Sequence, residues 1–199
     1  MYEKARIAVD PVIFTISENK LRVLLQKREK EPFKGKYELL GGLIEPNESS
    51  KEALKRKLRE VLDTNEFFFK QFHTFTESKR DPRMRTISIG YVTLIEKSNV
   101  KTTESWFDAK NLPSLAFDHK KIIEKALENL KANIDLFAEH LLPKKFPLNE
   151  LQKVHEIILE ETFDNRNFRK QMIEAKIVKE TEEIEVNVSH RPALLYVFK

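Results

Sequence analysis

Cysteine is absent from this 199-residue chain. Disulfides, thiolate metal sites and a cysteine nucleophile are excluded with it, and the absence fits a reducing compartment. Long apolar runs are missing too. The opening stretch "MYEKARIAVDPVIF" holds none of the length that a signal peptide needs. No other segment approaches the roughly 20 apolar residues of a membrane span. The expected location is the cytoplasm, with no membrane partner. A large excess of one charge is also lacking. The net charge of +4 permits a nucleic-acid partner without arguing for one by itself. Neither an internal repeat nor a low-complexity tract is present. What is present is ordinary globular composition, 40% hydrophobic and 34% charged, which suits a packed core rather than disorder.

Two β-branched apolar runs, "ARIAVDPVIFTI" and "KLRVLLQKR", flank the turn-like "SENK" and predict two strands. Ser49 to Leu62 predicts a helix with an apolar stripe of Leu54, Leu58, Val61 and Leu62, at helical spacing. "EFFFKQFHTF" and "RTISIGYVTLIE" predict further strands. The first is rich in phenylalanine and alternates poorly, so it reads as buried on both faces. "DHKKIIEKALENLKANI" predicts an amphipathic helix. Mixed strands with two helices give an α+β sandwich, assigned to residues 1–138. Trp106 reads as core. His73, His119, His140 and His155 are too scattered for a metal site, and no metal or cofactor is expected.

The pattern changes near "LLPKKFPLNE". A short apolar strand, "LLPKKF", leads into a helix from about Leu148, with Leu148, Leu151, Val154 and Ile158 on one stripe. After "TFD" comes a second helix, "NRNFRKQMIEAK", for which Asp164 is a suitable N-cap. "IVKETEEIEV" and "PALLYVF", joined by "NVSHR", predict a hairpin. Helix, short turn, helix and hairpin is the order of a winged helix-turn-helix, assigned to residues 139–199.

On the second of these helices Phe168, Met172 and Ala175 make the buried stripe. The opposite face carries Arg166, Asn167, Arg169 and Lys170 in the first two turns. Arginine and lysine reach phosphates or guanine edges, and asparagine can bond adenine. His190 and Arg191 sit at the hairpin tip, within reach of phosphates or the minor groove. A run of charge on a helix can equally be a solvated face. Basic and acidic side chains balance over Leu141–Lys199, but the acids gather in the preceding helix and in "KETEEIE", away from the presumed reading face.

The stretch from Gly41 to Asp63 resembles a catalytic signature, the Nudix box. That box is Gly, five residues, Glu, seven residues, then R-E-U-x-E-E-x-G-U, where U is aliphatic. Gly42, Glu48, Arg56, Leu58 and Glu60 match it, and "YELLGG" resembles its usual approach. Lys57 and Val61 stand where two carboxylates belong, and Asp63 and Thr64 stand where glycine is expected. The box places three carboxylates at i, i+3 and i+4 on one helix face, where they hold divalent metals. One carboxylate with an ammonium three residues before it makes a poor Mg²⁺ site.

The chain as a whole is similar to the Nudix-related transcriptional regulators, which include NrtR-type regulators of NAD metabolism and arabinose-responsive relatives. The matching segments include "DPVIF", "PFKGKYELLGG", "RDPRMRTISIGYV", "LLPKKFPLNELQ" and "DNRNFRK". Pro147 departs from the hydroxyl residue that often caps the helix in relatives. The resemblance implies a Nudix-like α/β/α sandwich with a mixed sheet, then a winged helix. It implies a homodimer on a palindromic double-stranded operator. It also implies a small-molecule effector, ADP-ribose in NAD-linked members and a pentose in arabinose-type ones. Candidate effector residues are Phe33 and Tyr37 for stacking, the cations Lys36, Lys57, Arg80, Arg83 and Arg85 for a phosphate, and Glu60 of the box remnant beside them. Arg80 and Arg83 could instead be solvated, and Arg85 could pair with Glu48 or Glu60. Catalysis is not expected. A hydrolase using acids outside the box, such as Glu45, Glu48 and Glu77, is the alternative.

Overall fold

The computed structural model describes residues 4–62, 67–96, 102, 104–189 and 191–199. It divides into two compact units, one up to Leu130 and one from Lys131.

The first unit is built on a seven-stranded mixed sheet. Its strands are β1 (Arg6–Ser17), β2 (Lys20–Lys27), β3 (Tyr37–Glu38), β4 (Gly42–Leu43), β5 (Phe68–Phe75), β6 (Thr86–Leu94) and β7 (Ser105–Asp108). The order is β3-β2-β1-β6-β5, with β4 on β1 and β7 on β2. Strands β1 and β6 pair in parallel, in a register that sets Val9 beside Ile89 and Asp10 beside Gly90. Central β1 is buried from Ala8 to Thr15. Its side chains alternate between faces. Val9 and Ile13 join Leu24, Leu40 and Tyr91 in a core with helix α1 (Ser50–Val61), which leaves Ala8, Asp10 and Val12 on the opposite face.

Helix α1 begins where its sequence says it should. Ser49 and Glu52 form a reciprocal capping box, satisfying donors that the first turn cannot bond internally. Leu54, Leu58 and Leu62 are buried, as the stripe requires, and Val61 is half-buried against the same core. Trp106 on β7 also packs there. Helix α2 (His119–Ala132) buries Ile122, Ile123, Ala126 and Leu130.

Strand β5 corrects its sequence reading. It lies at the sheet edge and is not buried on both faces; Lys70, Gln71, His73 and Thr74 are exposed. A register shift between Gln71 and His73 breaks its alternation, as a bulge does. Phe72 and Phe75 come to lie over Gly90, where any Cβ would meet their rings at 2.8–2.9 Å.

The second unit opens with the short α3 (Ile134–Phe137) and a 3-10 turn at Ala138–His140. Strand β8 (Phe146–Pro147), helices α4 (Leu148–Leu159) and α5 (Asn165–Glu174), and strands β9 (Val178–Ile184) and β10 (Leu194–Phe198) follow. The sheet order is β8-β10-β9. Strand β8 is shorter than the "LLPKKF" reading. The 3-10 turn runs up to Leu141, Pro143 has no N–H to pair, and pairing takes in only Phe146 and Pro147. Pro147 stands at the N-cap of α4 with no side-chain cap bond. Asp164 does cap α5, accepting the Asn167 N–H at 3.0 Å. Ala175 leaves the predicted stripe. It is the C-cap and exposed, because the chain turns at Lys176 with φ of 57°.

Candidate functional site

In the first unit the remnant box is held by ion pairs. Arg56 grips Glu48 through two hydrogen bonds, Nη2 at 2.5 Å and Nε at 3.0 Å, and also donates to the Leu43 carbonyl at 3.1 Å. Glu48 further accepts the Glu45 N–H at 2.8 Å. The Arg56 hydrogen bonds hold the Glu48 carboxyl below its usual range, with help from the Glu45 N–H. Lys57 donates to Glu60, and Arg56 reaches Glu60 at 3.5 Å. The remaining box carboxylate is therefore claimed by two cations, and Val61 faces the core. Among the described residues no three acidic or histidine side chains group as metal ligands. These residues do not fit a divalent metal.

Beside the box a cavity of about 180 Å³ opens against the Asp10 face of the sheet. Gly41 and Gly42 form one wall. A Cβ on Gly41 would lie 2.1 Å from Asp10 Oδ1, and one on Gly42 would lie 3.0 Å from Lys57 Cδ. Only glycine fits at Gly41. Asp10 is 6% exposed and accepts from Ser88 Oγ and from Arg80 Nη2. Arg80 also makes two hydrogen bonds to Asp118, at 2.9 and 2.8 Å. Burial opposes the Arg80 charge, but Asp118 and Asp10 outweigh it and raise its pKa. His119 accepts the Leu39 N–H on Nδ1 at 3.0 Å, which places the ring proton on Nε2. Burial pushes its pKa down, with Asp10 and Asp118 opposing, so it is neutral at physiological pH.

Another wall sets ion-paired guanidiniums against an aromatic ring. The Phe117 ring carries the Arg28 guanidinium at 4.8 Å and that of Arg83 at 5.2 Å. Arg28 is paired with Glu38 at 2.7 Å and Arg83 with Asp81 at 2.7 Å. Phe33 meets Phe117 edge-on at 5.0 Å, and Lys36 sits 5.3 Å over Phe33.

The candidates taken from sequence are brought together only in part. Arg80 and Arg83 line the cavity, Arg80 as a buried group rather than a solvated one. Phe33 and Lys36 lie one ring away, and Lys57, followed by Glu60, lies over Gly42. Tyr37 instead packs on Phe107 at 4.7 Å. Arg85 lies just before β6 and is not among the residues that line the cavity. It does not pair with Glu48 or Glu60, which Arg56 and Lys57 already hold; its Nη1 is buried without a hydrogen bond. Sequence reasoning missed Asp10, Arg28, Glu38 and Phe117. For Asp10 a signal existed: a lone carboxylate inside the apolar run "AVDPVIF" must have a partner when buried.

In the second unit α5 turns Phe168 and Met172 inward, 2% and 7% exposed. Arg166, Asn167, Arg169 and Lys170 are exposed. Arg166 and Arg169 line an open groove of about 380 Å³ with Asn149, Gln152, Asn165 and Tyr196. Gln152 Nε2 lies 2.9 Å from Glu156 Oε1, the Phe163 carbonyl and Asn165 Oδ1, three acceptors shared by its two N–H groups, tying α4 to the start of α5. Lys170 pairs loosely with Glu174 at 3.9 Å. Arg191 is exposed, and His190 lies outside the described residues. One acid departs from the expected segregation. Glu180 on β9 reaches α5 and bonds Arg169 at 2.8 Å.

Comparison with known proteins follows this division. A NUDIX domain model matches residues 6–129, and a model of the NrtR DNA-binding winged helix domain matches residues 138–198. The ADPR responsive transcriptional repressor NtrR of Acinetobacter baylyi is 30% identical, over 99% of this chain and 83% of that protein. An ADP-ribose pyrophosphatase of Methanocaldococcus jannaschii is 34% identical over 62% of this chain and 74% of its own length. The crystal structure of Shewanella oneidensis NrtR complexed with a 27mer DNA superposes with a TM-score of 0.85 at 30% identity, covering 97% of this chain and 93% of that one. Its NUDIX domain complexed with ADP ribose gives a TM-score of 0.57 at 30% identity, over 65% of this chain and 90% of that one. Among the described residues no helix is long and apolar enough to cross a membrane.

Proposed function

This chain belongs to the NrtR family of regulators, which join a NUDIX domain to a DNA-binding winged helix, and on that premise we propose that it is a repressor that binds ADP-ribose beside Asp10 and reads operator DNA with α5. The observation that carries the sensor role is the ion-paired box. Lys57 and Arg56 hold Glu60 where a hydrolase needs its carboxylates open to metal, yet the adjoining cavity persists. A site that binds a diphosphate without metal does not activate water against it. Phe117 and its guanidinium neighbours suit a nucleotide better than a bare pentose, because flat cations and rings stack on a base. The cavity accepts the base or a ribose, and the diphosphate lies toward Gly41, Gly42 and the Lys57 ammonium. The functional division is 1–138 for sensing and 139–199 for DNA. The protein acts as a homodimer on a palindromic site, since one recognition helix spans too few base pairs to be selective.

Thermal unfolding with added ligand tests the sensor. ADP-ribose at about 100 times its Kd is expected to stabilise the protein by about 2.7 kcal/mol, unchanged by EDTA, while arabinose or ribose gives no shift. Incubation with Mg²⁺ or Mn²⁺ is expected to leave ADP-ribose intact by mass spectrometry. Turnover at an ordinary enzyme rate, about 1 s⁻¹ or more, sinks the sensor reading and favours the hydrolase to which the pyrophosphatase relative points. Against that reading, the other candidate acids are engaged, Glu45 and Glu48 by Arg56 and Glu77 by Lys121.

The DNA role rests on the exposed first turns of α5. Arg166→Ala and Lys170→Ala are expected to weaken binding to operator DNA and leave the fold intact. If the side chain bonds a phosphate, its removal weakens all sequences alike and lowers the salt slope by about one. If it bonds a base, its removal costs about 1–3 kcal/mol and relaxes preference at one position. Fluorescence anisotropy at several salt concentrations, on DNA from upstream of the chain's own coding region, separates the two. Parent-like affinity in both variants means that another element reads the DNA.

A further inference from the structure

The exposed polar side chains of α5 are not alike in how they are held. Arg166 makes no ion pair among the described residues, and Lys170 has only the 3.9 Å approach to Glu174. Arg169 is tied down. Its Nη2 donates to Glu180 Oε1 at 2.8 Å, and the same oxygen accepts the Tyr196 hydroxyl at 3.1 Å. Tyr196 is itself 2% exposed. The β9–β10 register sets Tyr196 opposite Glu180, so the Tyr196 hydroxyl holds the carboxylate from the facing strand. The Arg169 guanidinium also lies 5.9 Å from the Tyr196 ring centroid.

We infer that Glu180 is a positioning residue for sequence recognition: it holds Arg169 so that the unbonded edge of the guanidinium meets a base rather than a phosphate. The inference rests on α5 being the DNA reader. Its physical ground is the difference between the two kinds of contact. Phosphates surround the helix as many equivalent acceptors, and a mobile cation finds one without being aimed. A base edge presents two acceptors in one plane, and arginine reads it with a planar fork whose orientation decides the bond. Glu180 engages one terminal nitrogen and leaves the rest of the fork, on a side chain still 54% exposed. Holding one long side chain from a rigid hairpin leaves little freedom to lose on binding. The hydrogen bonds from Arg169 and Tyr196 hold the Glu180 carboxyl below its usual range, so the free protein carries it charged at neutral pH.

That charge gives the test a sign. A carboxylate near DNA repels phosphates, so removing it strengthens non-specific binding, while freeing Arg169 weakens the operator contact. The operator is first recovered by selecting a random duplex pool with the full-length parent chain. Binding of that operator and of a scrambled duplex of equal length is then titrated across salt. Glu180→Ala is expected to lower the ratio of operator to scrambled affinity about tenfold, with the scrambled duplex bound more tightly than by the parent. Glu180→Gln retains an oxygen to accept from Arg169 and keeps more of the ratio. In an Arg169→Ala background, Glu180→Ala is expected to leave the ratio unchanged, which a purely structural role for Glu180 does not produce. Equal tightening on both duplexes in Glu180→Ala overturns the inference, because Glu180 then only repels phosphate. So does a ratio unchanged from the parent. A parent chain that selects no sequence at all removes the DNA reading and the inference with it.

Discussion

Replacing Arg80 with alanine is expected to destabilise the first unit by about 3–5 kcal/mol, the cost of leaving buried charges without their partner. The side chain is 5% exposed and lies between Asp10 and Asp118, whose side chains are 8% and 17% exposed. Removing it strands Asp10 in the cavity wall and Asp118 behind it, and Ser88 remains as a neutral partner for Asp10 alone. Burying an unpaired charge is far costlier than burying the pair. Urea unfolding followed by the fluorescence of Trp106, the single tryptophan, reads this unit directly, since Trp106 packs against the α1 core. A loss below about 1 kcal/mol would place Arg80 among ordinary surface pairs and contradict its role in building the cavity floor.

The second large effect belongs to the DNA-binding unit. Phe168→Ala is expected to cost about 3–5 kcal/mol through the forfeited transfer energy and the cavity left behind. The ring is 2% exposed and packs against His155 at 5.1 Å and Phe163 at 5.6 Å, so it joins α5 to α4 and to the turn between them. Ile173→Ala on the same helix is the control. At 39% exposure it is expected to stay within about 0.5 kcal/mol. Denaturant titrations followed by helical circular dichroism compare the two. If both variants unfold with the parent, α5 is not anchored through Phe168 and its exposed face is not held in a fixed orientation.

These two positions were not equally legible beforehand. Phe168 follows from helical periodicity, and periodicity is a local property: residues four apart share a face wherever the helix goes. The same holds for the Ser49 and Glu52 cap, the Leu54 and Leu58 stripe, and the Asp164 cap. The box spacing from Gly42 through Glu48 to Arg56, and the substitutions at Lys57 and Val61, are also complete within one short stretch. From them the loss of a metal face could be argued from sequence alone, as could the order of helices and hairpin in the second unit.

The cavity beside the box and the surroundings of Arg169 could not. Asp10, Arg80 and Asp118 are far apart in the chain and meet because β1 and β6 pair in parallel, placing Asp10 beside Ser88's strand and beneath the loop that carries Arg80. Phe117 receives Arg28 and Arg83 from two further segments, so no window of sequence contains the surface that they form. The bulge in β5 and the edge position of that strand reversed a reading based on composition alone. Arg169 was one of four exposed candidates on α5, and only the β9–β10 register, which sets Glu180 opposite Tyr196, tells it apart from the others. In each case the chemistry lies in a pair or triad of side chains, and only strand pairing decides which residues, distant along the chain, come within hydrogen-bond reach.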